Sequence, residues 1–193
     1  TGLFLSITDQ AKEGKAFRLA LQADAATFKL SLDEKRQALG DADPQAALAA
    51  EGYFLDVNSN GVLLVGADEP GLYYAVTTFM QIFKINLLKK HEPALGCATV
   101  LDWPDLSHRI VVHWLGSCNR PREPRNNAES LKAWLKEFVA GAKYNFWSPM
   151  LNQSFEFDRE AKITVSRGGD RAFLTREEYT EVVRFAQEHF IEV

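Results

Sequence analysis

Several residues in the second half of the chain have side chains that can bind a sugar-like ligand. The indole of Trp114 can stack on the apolar face of a sugar ring, and the guanidinium of Arg120 can donate paired hydrogen bonds to hydroxyls or to a carboxylate. The amides of Asn119 and Asn152 can both donate to and accept from hydroxyl groups. Plainer roles stay open: core packing for Trp114, a solvated surface position for Arg120 and loop capping for Asn152.

Other kinds of chemistry find no support in the sequence. Cys97 and Cys118 are not part of a CxxC pair, so neither zinc binding nor thiol redox chemistry is indicated, and the sequence leaves a disulfide between them open. Gly168 and Gly169 lack the spacing and the strand–helix context of a dinucleotide site. We therefore expect no cofactor and no metal.

The overall charge limits the classes of partner. With a net charge of −4, the chain has no basic surplus to neutralise phosphates, so we expect no nucleic-acid partner. No apolar run approaches the roughly 20 residues of a membrane helix, so we expect no membrane partner.

The chain begins at Thr1 and has no signal-peptide segment, which leads us to expect a processed or trimmed product. Oligomeric state and localisation stay open, and a secreted or periplasmic location is compatible with the sequence.

The elements that would position the candidate residues form a βαβ pattern. Residues 109–114 are a compact apolar strand, residues 130–142 a helix and residues 144–148 the next strand. This order predicts two parallel neighbouring strands covered on both faces. The apolar stripe of the predicted helix consists of Leu131, Leu135, Phe138 and Val139.

In such folds the site forms where the parallel strands end. This rule selects His113, Trp114, Asn119 and Arg120 after the first strand, and Ser148, Asn152 and Gln153 after the second. His113 is more simply interpreted as a hydrogen-bonded structural histidine.

The pattern continues to the last residue. Thr175 and Glu178 form a capping box that opens a helix with Val182 and Ala186 on its apolar side, and residues 190–193 begin another strand. A complete (β/α)₈ barrel needs about 250 residues. We therefore expect residues 105–193 to be the first βα units of an incomplete TIM barrel.

The first half predicts a small α+β domain over residues 1–104. Residues 15–23 are a strand, and residues 33–50 are interpreted as a loop leading into a short helical turn. Residues 51–57 and 62–65 form a hairpin closed by the turn Asn58-Ser59-Asn60-Gly61, since Asn-Gly supplies the positive φ angles of a tight turn.

A helix and a strand complete the predicted domain. The helix covers about residues 70–86, with Leu72, Val76, Phe79, Met80 and Phe83 on the face that packs on the sheet. The strand covers residues 99–104 and is ended by Pro104.

Five segments together resemble family 20 glycoside hydrolases, the β-N-acetylhexosaminidases. They are Glu51–Val57, Gly61–Ala67, Gly71–Gln81, Leu101–Pro104 with His108-Arg109, and Thr175–Val193. The resemblance implies an N-terminal domain of hexosaminidase type followed by the start of a catalytic barrel. Ile110 stands where the family usually has Gly, and the Asp and Arg that usually end the first strand are missing, so the member implied is a divergent one.

The resemblance also implies where the chemistry lies. In the family an Asp-Glu pair on the fourth barrel strand performs it, so no carboxylate of this chain is predicted to be catalytic and the chain alone is expected to be inactive. The substrate implied is a glycan containing N-acetylhexosamine. Two alternatives stay open: a non-catalytic carbohydrate-binding or scaffold protein, and an α-glucuronidase-like hydrolase, which the basic residues Arg120, Arg122 and Arg125 would suit.

Overall fold

The chain forms two compact units, Thr1–Asp105 and Leu106–Val193. The computed structural model describes residues 16–23, 29–43, 47–90, 96–114, 127–150 and 174–193.

The first unit is built on a four-stranded sheet. Its strands are β1 (Ala16–Leu21), β2 (Tyr53–Asn58), β3 (Gly61–Gly66) and β4 (Ala98–Asp102), in the order β1-β3-β2-β4. β1 runs parallel to β3, whereas β2 is antiparallel to both β3 and β4. The predicted hairpin and the strands on either side of it are confirmed.

The hairpin turn covers the predicted residues. Asn58 pairs with Gly61, so the two central residues are Ser59 and Asn60. The Asn58 side chain accepts a hydrogen bond from the backbone N–H of Asn60 at 2.8 Å. Gly61 follows the turn with φ +139°, a conformation that only glycine adopts readily.

Helix α2 (Glu69–Lys90) covers one face of this sheet and is longer at its C-terminus than predicted. Its core contacts come from Tyr74, Ala75 and Phe79, which pack against Leu55 and Leu64. Phe79 is 4% exposed, as the apolar stripe predicts. Tyr74 and Ala75 were not part of that stripe. Its other members, Leu72, Val76, Met80 and Phe83, are half-buried.

The N-terminus of α2 approaches the chain before β2 closely. The carboxylate of Asp68 accepts hydrogen bonds from the backbone N–H groups of Gly71 and Glu51, at 2.8 and 2.9 Å. A Cβ on Gly71 would lie 2.3 Å from the carbonyl oxygen of Gly52. Only glycine therefore fits at position 71.

The opposite face of the sheet carries helix α1 (Lys29–Ala38), so the prediction of a loop over residues 33–50 is wrong in its first part. Leu32 packs with Leu48, Phe54 and Val65. Arg36, four residues after Leu32, is also buried and its Nε donates to Asp41 Oδ2 at 2.7 Å. Because a paired arginine occupies the second buried position, the helix lacks a clear apolar period.

The second unit contains the predicted parallel pair. β5 (Ile110–Trp114) and β6 (Phe146–Met150) are parallel, with Ile110 opposite Phe146. Between them lie α3 (Ala128–Trp134) and a π-helical segment, Leu135–Ala140. α4 (Arg176–Gln187) begins at the predicted capping box of Thr175 and Glu178, and Phe146 forms a parallel bridge with Glu192.

The prediction that β5 is covered on both faces is wrong. His113 and Trp147 contact Trp134 of α3, which defines the covered face. On the other face Ile110 is 52% exposed and Val112 63% exposed. The apolar composition of β5 therefore does not correspond to burial on both sides within this unit.

The helical stripe of the second unit needs one correction. Leu131, Leu135 and Val139 are buried as predicted, but Phe138 is 48% exposed. Phe138 lies in the π-helical segment, where the residues per turn differ from the 3.6 that the stripe assumed.

Candidate functional site

The candidate site is the edge of the second unit where β5 and β6 end. Trp114 is the last residue of β5 and lies opposite Met150, the last residue of β6. Since the strands are parallel, the segments that follow both strands leave from this same edge. The predicted site residues Asn119, Arg120, Asn152 and Gln153 lie in those segments, outside the described residues.

Ser148 does not lie where the sequence predicted it. It was expected after the second strand, but β6 continues to Met150 and Ser148 pairs with Val112 inside the sheet. The prediction ended the strand too early because Pro149 is unusual within a sheet. Met150, which was not predicted, is the exposed residue at the end of this strand.

His113 faces the helices rather than the open face of the sheet. Its ring centroid lies 4.2 Å from that of Trp134 and 6.5 Å from that of Trp147. Its Nδ1 is buried without a hydrogen-bond partner, so the prediction of a hydrogen-bonded histidine is wrong for this atom. Burial lowers the pKa of His113 below its ordinary value of 6.5, and the imidazole is therefore neutral at pH 7. This environment suits packing against the aromatic rings of the helix and the neighbouring strand.

The fully buried Trp147 occupies the centre of the same cluster. Its ring lies 6.3 Å from that of Trp134, and its Nε1 is buried without a partner. Trp134 in turn lies 5.7 Å from Phe138. The aromatic side chains of β5, α3 and β6 thus join the two strands to the helix that crosses between them.

The opposite end of β5 is held by Arg109. Its Nε donates to the carbonyl oxygen of Lys143 at 2.6 Å, and its Nη1 donates to that of Leu106 at 2.7 Å. Asn145 accepts from the Arg109 backbone N–H and donates to the Ser107 carbonyl, both at 2.8 Å. Arg109, which belongs to a family-like segment, therefore helps to set the register of β5 and β6. It does so at the end of the sheet opposite the candidate site. Sequence reasoning missed Asn145.

In the first unit, three of the family-like segments meet at one hydroxyl group. The Tyr53 hydroxyl lies 2.7 Å from Thr78 Oγ1 and donates to Asp102 Oδ2 at 2.9 Å. These residues come from β2, α2 and β4. The motif positions thus tie the helix and two strands together, and their role is structural.

Asp56 is the buried carboxylate among the described residues of the first unit. Burial raises its pKa, but hydrogen bonds from Lys35, Thr99 and Asn58 outweigh that effect and hold the pKa below the ordinary 3.8. Lys35 Nζ lies 2.6 Å from Asp56 Oδ2. The carboxylate stays ionised with its oxygens occupied, which does not suit a proton donor.

The part of the chain that the structure describes has neither a metal cluster nor a membrane-spanning helix. It contains no group of three or more His, Cys, Asp or Glu arranged to hold a metal ion. None of its helices is long and apolar enough to cross a membrane. Cys97 is an exposed free thiol, and Cys118 lies outside the described residues.

A sheet between two helices, followed by a parallel βαβ unit, defines an α/β protein. The family model for glycosyl hydrolase family 20, domain 2, matches residues 3–103, a little over half of the chain. The chain therefore belongs to glycosyl hydrolase family 20.

Solved structures of this family resemble the chain beyond the matched domain. A family 20 β-N-acetylglucosaminidase is 25% identical over 94% of this chain and 37% of its own, with a TM-score of 0.56. A mutant Streptomyces plicatus β-hexosaminidase in complex with its product GlcNAc is also 25% identical, over 77% of this chain and 31% of its own, with a TM-score of 0.61. A Streptomyces coelicolor β-N-acetylhexosaminidase, at 23% identity and a TM-score of 0.60, shares the fold. The chain spans about a third of the length of these proteins.

Proposed function

We propose that this chain is the N-terminal domain and the beginning of the catalytic barrel of a family 20 glycosidase that hydrolyses N-acetylhexosamine-containing glycans. The observation that carries the proposal is the parallel pairing of β5 with β6 directly after a family 20 domain 2. The similarity of 94% of the chain to a β-N-acetylglucosaminidase supports the same order of domains.

The barrel part of the proposal rests on the second unit. Two parallel strands joined through helical segments, with a parallel bridge from Phe146 to Glu192, are what three consecutive barrel strands require. The face away from the helices bears the exposed apolar side chains of Ile110, Val112 and Met150. In a complete barrel, side chains on this face fill the interior. Further strands that close the barrel would cover the face of β5 that is exposed in this unit.

The sugar-binding part of the proposal uses the edge at Trp114 and Met150. We assign Trp114 to stacking on a sugar ring, and Asn119, Arg120 and Asn152 to hydrogen bonds with its hydroxyls. The support is their position in sequence, directly at or after the carboxyl ends of two parallel strands. His113 and Ser148 are left out of this assignment.

The acid–base step is assigned to residues outside this chain. Hydrolysis needs a carboxyl group that protonates the leaving oxygen and a second group that assists attack at the sugar carbon. β5 and β6 contain neither Asp nor Glu. The buried carboxylate of the first unit, Asp56, is fully engaged in hydrogen bonds. This chain therefore contributes one side of the sugar-binding site.

An assay of a protein that joins this chain to the remaining barrel strands tests the proposal. Chromogenic N-acetylglucosaminide, N-acetylgalactosaminide and glucuronide substrates should be compared, and we expect hydrolysis of the N-acetylhexosaminides. Hydrolysis of the glucuronide alone would replace the proposal with an α-glucuronidase-like activity. Binding without hydrolysis of any of the three would indicate a carbohydrate-binding protein.

The substitution Arg120→Ala, made in the same protein, tests whether this side of the site binds the sugar. Hydrogen bonds to a charged group contribute about 1.5–3 kcal/mol, so kcat/KM should fall about 10–100-fold. The matched control is Arg18→Ala, because Arg18 lies on an exposed part of β1 in the other unit. Equal kcat/KM values for Arg120→Ala, the control and the unmodified protein would remove Arg120 from the site.

A further inference from the structure

We draw no further inference here: the strongest candidate, the exposed apolar surface at the C-terminal end of α2 formed by Ile85, Leu87 and Leu88, carries nothing because nothing in the structure shows what covers it.

Discussion

At the scale of single residues, the family-like motifs mainly hold the fold together. Tyr53, Thr78 and Asp102 share one hydrogen-bonded group, and Arg109 binds two backbone carbonyls at the amino end of β5. Buried polar groups are costly unless they are paired, so such residues specify one arrangement of helix and strands. Family likeness in this chain therefore reports a shared framework more directly than a shared chemistry.

The close approach at Gly71 gives the first prediction at this scale. Gly71→Ala places a methyl group against the Gly52 carbonyl, and we expect a loss of about 1–3 kcal/mol in the free energy of unfolding. The measurement is urea unfolding followed by circular dichroism.

Gly96→Ala is the matched control for Gly71→Ala. A Cβ on Gly96 has no heavy atom within 4 Å, so this change should leave stability unchanged or raise it slightly. Equal stability of the two variants would contradict the contact between Gly71 and Gly52.

His113 gives the second prediction, a dependence of stability on pH. Well above pH 6.5 its imidazole is neutral in the folded and the unfolded chain, so it contributes no pH dependence there. Below pH 6.5 the unfolded chain binds a proton that the folded chain, with its lowered pKa, does not yet bind. The free energy of unfolding should therefore fall as the pH decreases from 6.5 toward the lowered pKa.

Two variants isolate the contribution of His113. His113→Phe keeps an aromatic ring beside Trp134 but cannot titrate, so the loss of stability between pH 6.5 and 5 should become smaller. Phe138→Leu alters a ring beside Trp134 without removing a titratable group and should leave the pH dependence as it is. An identical pH dependence in His113→Phe and the unmodified chain would show that His113 is not protonated on unfolding.

At the scale of elements, the sequence predicted the helices and strands that strong local patterns mark. It missed features whose burial depends on contacts between polar side chains. The hairpin, α2 and the parallel strands follow from turn residues and apolar spacing. α1 was missed because its second buried residue, Arg36, depends on Asp41 for its burial. The exposure of Phe138 was missed because a π-helical segment has no separate signature in composition.

The sequence predicted where in the fold the candidate site lies, but it predicted only some of the residues at that position. Parallel strands bring their carboxyl ends to one edge whatever the side chains are, which fixed Trp114 at that edge. Successive side chains of a strand point to opposite faces of the sheet, and His113 lies on the face that packs against the helix. The end of β6 at Met150 rather than Ser148 could not be read from a sequence that places Pro149 between them.

Packing of α2 on the sheet gives the prediction at this scale. Phe79 lies 5.2 Å from the ring of Phe17 and 6.4 Å from that of Phe83, within the core cluster of the first unit. Phe79→Ala should lower the free energy of unfolding by about 3–5 kcal/mol. Leu88→Ala, at an exposed position of the same helix, should change it by less than about 0.5 kcal/mol. Similar values for both variants would contradict the observed packing of α2.

At the scale of the whole molecule, the chain joins a domain with a complete core to a unit with an open apolar face. The first unit has helices on both faces of its sheet, whereas β5 and β6 expose Ile110, Val112 and Met150. Solved family 20 structures that match most of this chain are about two and a half times as long. Under the proposed function this chain provides a framework and one side of a sugar site, and the acid–base chemistry belongs to residues elsewhere.

Turnover by the purified 193-residue chain tests this assignment most directly. The chain should be assayed with chromogenic N-acetylglucosaminide, N-acetylgalactosaminide and glucuronide substrates, after a cooperative unfolding transition has shown that it is folded. We expect no hydrolysis above the uncatalysed rate, because β5 and β6 provide no carboxyl group to protonate the leaving oxygen. Hydrolysis by the folded chain, retained through purification to a single species, would contradict this expectation and would place the catalytic groups within these residues.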